Sequence, residues 1–330
     1  MWHSLVPIWT VILGLGIFIY VTLDGFDLGV GMLHGFVRED ERETVMRAIG
    51  PFWDGNETWL ILGSVGLLAA FPLAFAIIIP AVYFPIMLML LALVFRGVAF
   101  EFRFEHPHLR RAWDLAFCTG SAVATFAQGV VLGSFIQGFK IDGRVFAGTS
   151  FDFATPFALL TGVALMLGYG LLGAAWLVLK TEGDLQAWSR QAGRVCLVGV
   201  GLCIAAVSVW TALASPMIAA RWFGPDMAYL APLPLLTLAI GIYAWRALGE
   251  SADLTPFLTA VVLFGLSFLG IAISLWPMIV PGHYTLWQAA SPESSQGFLL
   301  VGTLGLLPLV LFYTAWSYWV FRGKVTAGAA

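Results

Sequence analysis

The stretch LVPIWTVILGLGIFIYVTLDGFDLGVGML, Leu5 to Leu33, decides the fold, and its segment from Asp24 to Gly31 raises the first question of chemistry. It is almost continuously apolar for longer than the roughly 20 residues a helix needs to cross a hydrocarbon core about 30 Å thick. It has no positive leading segment and outruns the apolar core of a signal peptide, so it reads as a retained membrane helix. Eight further runs follow: Trp53 to Ile79, Ala81 to Phe100, Trp113 to Phe139, Thr155 to Leu179, Ala192 to Ala214, Met227 to Leu248, Thr255 to Val280 and Gly297 to Phe321. With 60% hydrophobic and 11% charged residues in 330, the bilayer is the main solvent, and no soluble domain of useful size remains. The expectation is an all-α, polytopic membrane protein in one integral domain, 1–330. About nine transmembrane helices would form two four-helix bundles plus one peripheral helix. The first four helices fall within 1–139 and the other five within 140–330. Thr155-Pro156 and Thr255-Pro256 each place a capping residue before a proline at the first helical position.

Charge gives the orientation and removes one class of partner. The net charge of −3, without a basic block, points away from nucleic acid. Thirteen of the sixteen Lys and Arg residues fall at one set of helix ends, among them Arg38, Arg42, Arg47, Arg110, Arg111, Arg190 and Lys324. Lys140, Arg144 and Arg221 fall at the other. Cytoplasmic segments retain positive charge, so the N-terminus is expected outside and the C-terminus in the cytoplasm. Cys118, Cys196 and Cys203 lie in apolar runs without metal or redox spacing and read as packing residues.

Ionisable side chains in a bilayer are costly, at about 2.5–3.5 kcal/mol near its centre on insertion scales, and here they cluster. Asp24 and Asp27 are spaced i, i+3 and share a helix face, while Gly25 and Gly29 give the small-xxx-small spacing that admits a neighbouring backbone. The second run opens with Trp53-Asp54-Gly55-Asn56-Glu57-Thr58-Trp59, and the third ends in Phe95-Arg96-Gly97-Val98-Ala99-Phe100-Glu101-Phe102-Arg103. All three groups belong to the basic end of the first three helices. Two readings stay open. Asp24, Asp54, Asp27 and Glu57 form a hydrated intake for protons, with Arg96, Glu101 and Arg103 as charge partners. Alternatively, Asp54 and Glu57 cap a helix start and Arg96 neutralises an aspartate, all structurally.

The histidines argue against a cofactor held by this chain alone. A haem iron buried in a bundle needs an axial ligand, usually His, and His3, His34, His106, His108 and His283 all fall at helix ends or in connections. No grouping suggests copper or another metal. Gln128 and Gln137 read as interhelical hydrogen-bonding residues, and Trp287 as an interfacial aromatic anchor.

These motifs, with Ile136-Gln137-Gly138, Thr285-Leu286-Trp287 and the closing Leu311-Phe312-Tyr313-Thr314-Ala315-Trp316-Ser317-Tyr318-Trp319, occur in the order seen in subunit II of cytochrome bd-type quinol oxidases, which the chain resembles along nearly its whole length. The Glu57-Thr58 following Trp53-Asp54-Gly55-Asn56 and the short loops resemble the cyanide-insensitive branch. The resemblance implies a bacterial inner membrane and a heterodimer with a subunit I that carries b-type haems, haem d and the quinol site. It also implies a role in supporting that subunit and supplying cytoplasmic protons as dioxygen is reduced to water. In the family, the aspartates matching Asp24 and Asp54 are associated with a proton path. A small single-helix subunit, bound lipid and a quinone held by this subunit belong to the same expectation. From the residues alone, a proton-coupled secondary transporter and a purely structural subunit remain as rivals.

Overall fold

The computed structural model describes residues 5–250 and 252–325. The chain opens with α1 (Leu5–His34), the short α2 (Arg42–Arg47), α3 (Trp53–Glu57), α4 (Trp59–Ala70) and α5 (Pro72–Ala81). Then come α6 (Tyr83–Glu105), α7 (Arg110–Gln137), a hairpin of β1 (Ile141–Asp142) and β2 (Val145–Phe146), α8 (Pro156–Lys180) and α9 (Gly183–Ala214). The remainder is α10 (Pro216–Trp222), α11 (Met227–Leu230), α12 (Pro232–Ala247), α13 (Leu254–Leu275), a hairpin of β3 (Met278–Val280) and β4 (Tyr284–Thr285), α14 (Leu286–Ala289) and α15 (Glu293–Val320).

Among the described residues, eight helical segments are long and apolar enough to cross a membrane. The expected run from Trp53 to Ile79 is the exception, because it is broken into α3, α4 and α5. Phe71 leaves the helix at φ −134°, ψ 62°, as suits a residue whose successor is proline. Ala70 lies at the end opposite the basic residues, where its carbonyl accepts from Ser291 N at 2.9 Å. Beyond that break, α5 packs on β2, β3 and α14. Its Leu73, Ala74, Ile77 and Ile78 join Trp9, Leu13, Val280 and Leu286 in an apolar cluster. One cap also differs from expectation. Thr155 does cap α8, accepting from Ala158 N at 3.1 Å, but α13 begins at Leu254, which puts Thr255 inside the helix. Pro256 is tolerated there because the first-turn N–H groups have no intrahelical partner.

α1 runs through the centre, packed on α4, α7 and α8, and α6 packs on α7 to complete the first bundle. α8, α9, α12 and α13 form the second. The bundles join where α8 packs on both α7 and α1, and at the α1 crossing two glycines permit the close approach. A Cβ on Gly29 would overlap the Tyr169 carbonyl, and one on Gly173 would overlap the backbone of Gly29. α15 is the peripheral helix. No residue of its apolar window is buried within the chain, and its main contacts are with α1 and α4, with Tyr318 near its end also reaching Phe52, Asn56 and Trp176. The basic segments lie together at one end, where Arg38 reaches Asp184 at 3.5 Å and Lys324 reaches Asp253 at 2.6 Å.

Candidate functional site: a buried carboxylate and arginine cluster

Helix periodicity sets the site. On α1, Asp24 and Asp27 lie one turn apart and both are fully buried. α6 brings Arg96, also fully buried, so that Nη1 lies 3.3 Å from Asp24 Oδ1 and 3.2 Å from Glu57 Oε2. Its guanidinium also stands 5.3 Å from the centre of the Trp53 ring. The short α3 places Asn56 inward. Asn56 Nδ2 donates to Asp27 Oδ2 at 2.7 Å, and Asn56 Oδ1 accepts from the Tyr318 hydroxyl of α15 at 2.9 Å. Glu57, with a side chain 30% exposed, connects this buried set to the surface.

A second row of polar groups continues from Asp24 toward the middle of the bundle. Tyr20 stands one turn before Asp24 on the same face of α1. Gln128 Nε2 donates to Tyr20 at 2.7 Å, and Tyr169 donates to Gln128 Oε1 at 2.9 Å. This is the interhelical role expected of Gln128, and Gln137 likewise accepts from Thr155 Oγ1 at 2.5 Å. Asp24 Oδ2, Asp27 Oδ1 and Arg96 Nε and Nη2 are buried without hydrogen-bond partners in the protein. Burial without a partner is costly, so each of these atoms is a place where a bound water would be stabilising.

Of the expected site residues, Asp24, Asp27, Glu57 and Arg96 meet, and the other three lie elsewhere. Asp54 is exposed on α3, outside any buried span, because one face of this short helix turns outward while Asn56 turns in. Glu101 is exposed on α6 and, among the described residues, has no ion pair. Arg103 is buried but stands two turns beyond Arg96, about 10 Å along the helix, and belongs to a separate cluster. There its Nε lies 2.5 Å from Asp114 Oδ1, while Arg42 Nη1 lies 3.2 Å and His34 Nε2 3.4 Å from the same carboxylate. Phe117, fully buried and edge-on to His34, packs with Phe100 beside this lower cluster. Asn56, Tyr318, Tyr20, Asp114 and His34 were not singled out as site residues from the sequence. A carboxylate one residue into the run from Trp113 was the available signal for Asp114.

Four of the five histidines lie among the described residues, His3 being outside them, and each of the four stands at a helix end or in a connection. The His34 ring is completely enclosed between Asp114 and Phe117, His106 stacks on Phe102 and stands edge-on to His108 in the turn between α6 and α7, and His283 lies in the turn between β3 and β4.

Fold and site together define a polytopic helical membrane protein whose first bundle encloses an ionisable cluster, with Glu57 its partly exposed member. The sequence pattern described as cytochrome bd terminal oxidase subunit II matches residues 5–321. The chain belongs to that family and is a subunit of an oxidoreductase complex. It is 30% identical over 364 residues to the cytochrome bd-I ubiquinol oxidase subunit 2 of Escherichia coli (strain K12), covering 97% of this chain and 94% of that one. It is 31% identical over 335 residues to the cytochrome bd ubiquinol oxidase subunit 2 of Bacillus subtilis (strain 168), covering 98% and 97%. Among solved structures, the bd oxidase from Geobacillus thermodenitrificans superposes with a TM-score of 0.75 over 98% of this chain and 100% of that one, at 17% identity, and so shares the fold.

Proposed function

We propose that this chain supports the haem-bearing subunit I of a quinol oxidase and supplies it with cytoplasmic protons for the reduction of dioxygen to water. The observation that carries this reading is Arg96 bridging Asp24 and Glu57 at 3.3 and 3.2 Å, with oxygens of Asp24 and Asp27 left unpartnered behind it. Asp54 and Glu57 form the outer approach at the basic end, and Asp24 and Asp27 are the buried acceptors. The positive-inside rule puts that end in the cytoplasm, with the N-terminus outside and the complex in a bacterial plasma membrane. The b-type haems, haem d and the quinol site belong to subunit I. A quinone or lipid on the exposed apolar faces of this chain, and a small single-helix subunit, complete the expected assembly.

The chemistry asked of this chain is proton transfer alone. A carboxylate at Asp24 accepts a proton arriving through Glu57 and releases it inward, while the fixed charge of Arg96 keeps the pair from holding two protons at once. Asn preserves the shape of Asp but cannot carry the proton. In the purified complex, Asp24→Asn should slow quinol oxidation at least tenfold with the haem absorption spectrum intact. Loss of haem with loss of assembly would make the cluster structural, and normal turnover at every pH would place the route elsewhere.

A further inference from the structure

α15 is the least supported helix in the fold, yet its last turns are tied down firmly. Lys180, 3% exposed at the end of α8, donates to the carbonyls of Phe321 and Gly323, the latter at 3.2 Å. It has no carboxylate partner among the described residues. Instead, its ammonium stands 5.2 Å from the Phe52 ring centre and 5.0 Å from that of Trp176. A buried cation held this way meets the negative dipole ends of both α8 and α15. The tail then straps across α8, with Lys324 Nζ on Thr181 O at 3.1 Å and Val325 N donating to Lys180 O at 2.8 Å.

This strap fixes Tyr318. The Tyr318 ring stacks on Phe52 with centres 4.5 Å apart, and its hydroxyl donates to Asn56 Oδ1. A carboxamide has one accepting end and one donating end. With Tyr318 on the accepting end, the donating end must face Asp27, an arrangement that suits an ionised carboxylate. Without the hydroxyl nothing holds the oxygen end, and the orientation of the amide rests on Nδ2 alone, which donates to Asp27 and, at 3.5 Å, to the Leu23 carbonyl, so the donor to Asp27 is held less firmly.

We infer that Tyr318 is a positioning residue for Asp27, acting through Asn56, and that Lys180 and the tail hold α15 where it can do so. The inference rests on the reading of the cluster as a proton route. Asp27 is faced by Asp24 of α1, Asn56 and Glu57 of α3, Arg96 of α6 and Tyr318 of α15. Tyr318 comes from the peripheral α15, far along the chain from α1, α3 and α6, so its placement is set separately from the rest of the site.

The test uses the complete purified complex. Tyr318→Phe keeps the stacked ring and removes the hydroxyl. It should retain the haem spectrum and move the limb of the pH–turnover profile governed by Asp27 upward by about half to one pH unit, the equivalent of one neutral hydrogen bond. Whichever limb Asp27 controls moves upward, because a carboxyl that loses its donor keeps its proton to higher pH. Lys180→Met releases the strap without changing any residue of the site, loosens Tyr318, and should move the same limb in the same direction by less. Asp27→Asn runs alongside and should abolish that limb. If it does so while Tyr318→Phe and Lys180→Met keep the wild-type profile, the positioning role is overturned and the proton route stands. If Asp27→Asn changes neither turnover nor profile, the route does not pass through Asp27 and the positioning role falls with it.

Discussion

Removing Arg96 strips a cation from the centre of a buried cluster, and the structure bounds the damage. In Arg96→Met the aliphatic stem is replaced in kind, but Asp24, fully buried, loses its partner at 3.3 Å. Leaving a buried charge unpaired costs about 3–5 kcal/mol. Escape by protonation is no cheaper, since holding a carboxyl of ordinary pKa near 4 in its acid form at pH 7 takes about 4 kcal/mol at 1.36 kcal/mol per unit. Against this, Nε and Nη2 of Arg96 are themselves buried without partners, and deleting them relieves about 1–2 kcal/mol. The net loss is therefore about 2–3 kcal/mol. Adding Asp24→Asn removes the stranded charge and should return at least half of it. Thermal unfolding of the assembled complex, followed by loss of haem absorbance, measures both variants, with Arg96→Met lower by a few degrees and the double variant between it and wild type. Wild-type stability for Arg96→Met, or a double variant no more stable than the single, would refute the reasoning.

Gly29→Val should prevent the two bundles from docking and abolish assembled complex in membranes, whereas Gly55→Ala, with no atom within 4 Å of the added carbon, should leave the yield unchanged on immunoblot. Asp114→Asn strands Arg103 and Arg42 and should destabilise the complex by about 3 kcal/mol in denaturant titration, while the exposed Asp54→Asn stays within about 0.5 kcal/mol of wild type. With Cys118, Cys196 and Cys203 replaced, single cysteines at Ser294 and Glu250 should react with an impermeant maleimide from opposite sides, Ser294 from outside. Labelling of both from one side would remove the assigned orientation.

The long helices were legible because a membrane helix must satisfy its backbone internally and cover itself with apolar side chains, which leaves a continuous trace such as Leu5 to Leu33. The break at Phe71 had a local signal in Pro72. What that signal could not carry is that the chain beyond it packs on hairpins contributed by residues 145–146 and 278–280. The meeting of Asp24, Glu57 and Arg96 followed from their sign and their shared end of the bundle. Arg103 was grouped with them by proximity in sequence, yet two helical turns separate it from Arg96, and its partner, Asp114, comes from the next helix. Tyr318 pairs with Asn56 across 262 positions, and no periodicity records such a contact. The closing motif around it was visible as a family likeness, while its purpose was not.

The central claim, that protons reach the oxidase through the Asp24 cluster from the basic end, is tested most directly in oriented proteoliposomes holding the complete complex. A pH-sensitive dye on the basic-end side should report proton uptake on that side, in step with oxygen consumption on adding quinol. With Asp24→Asn, uptake and turnover should slow together at least tenfold while the haem spectrum stays unchanged. Uptake at the wild-type rate in the variant, or uptake from the opposite face in the wild type, would contradict the account.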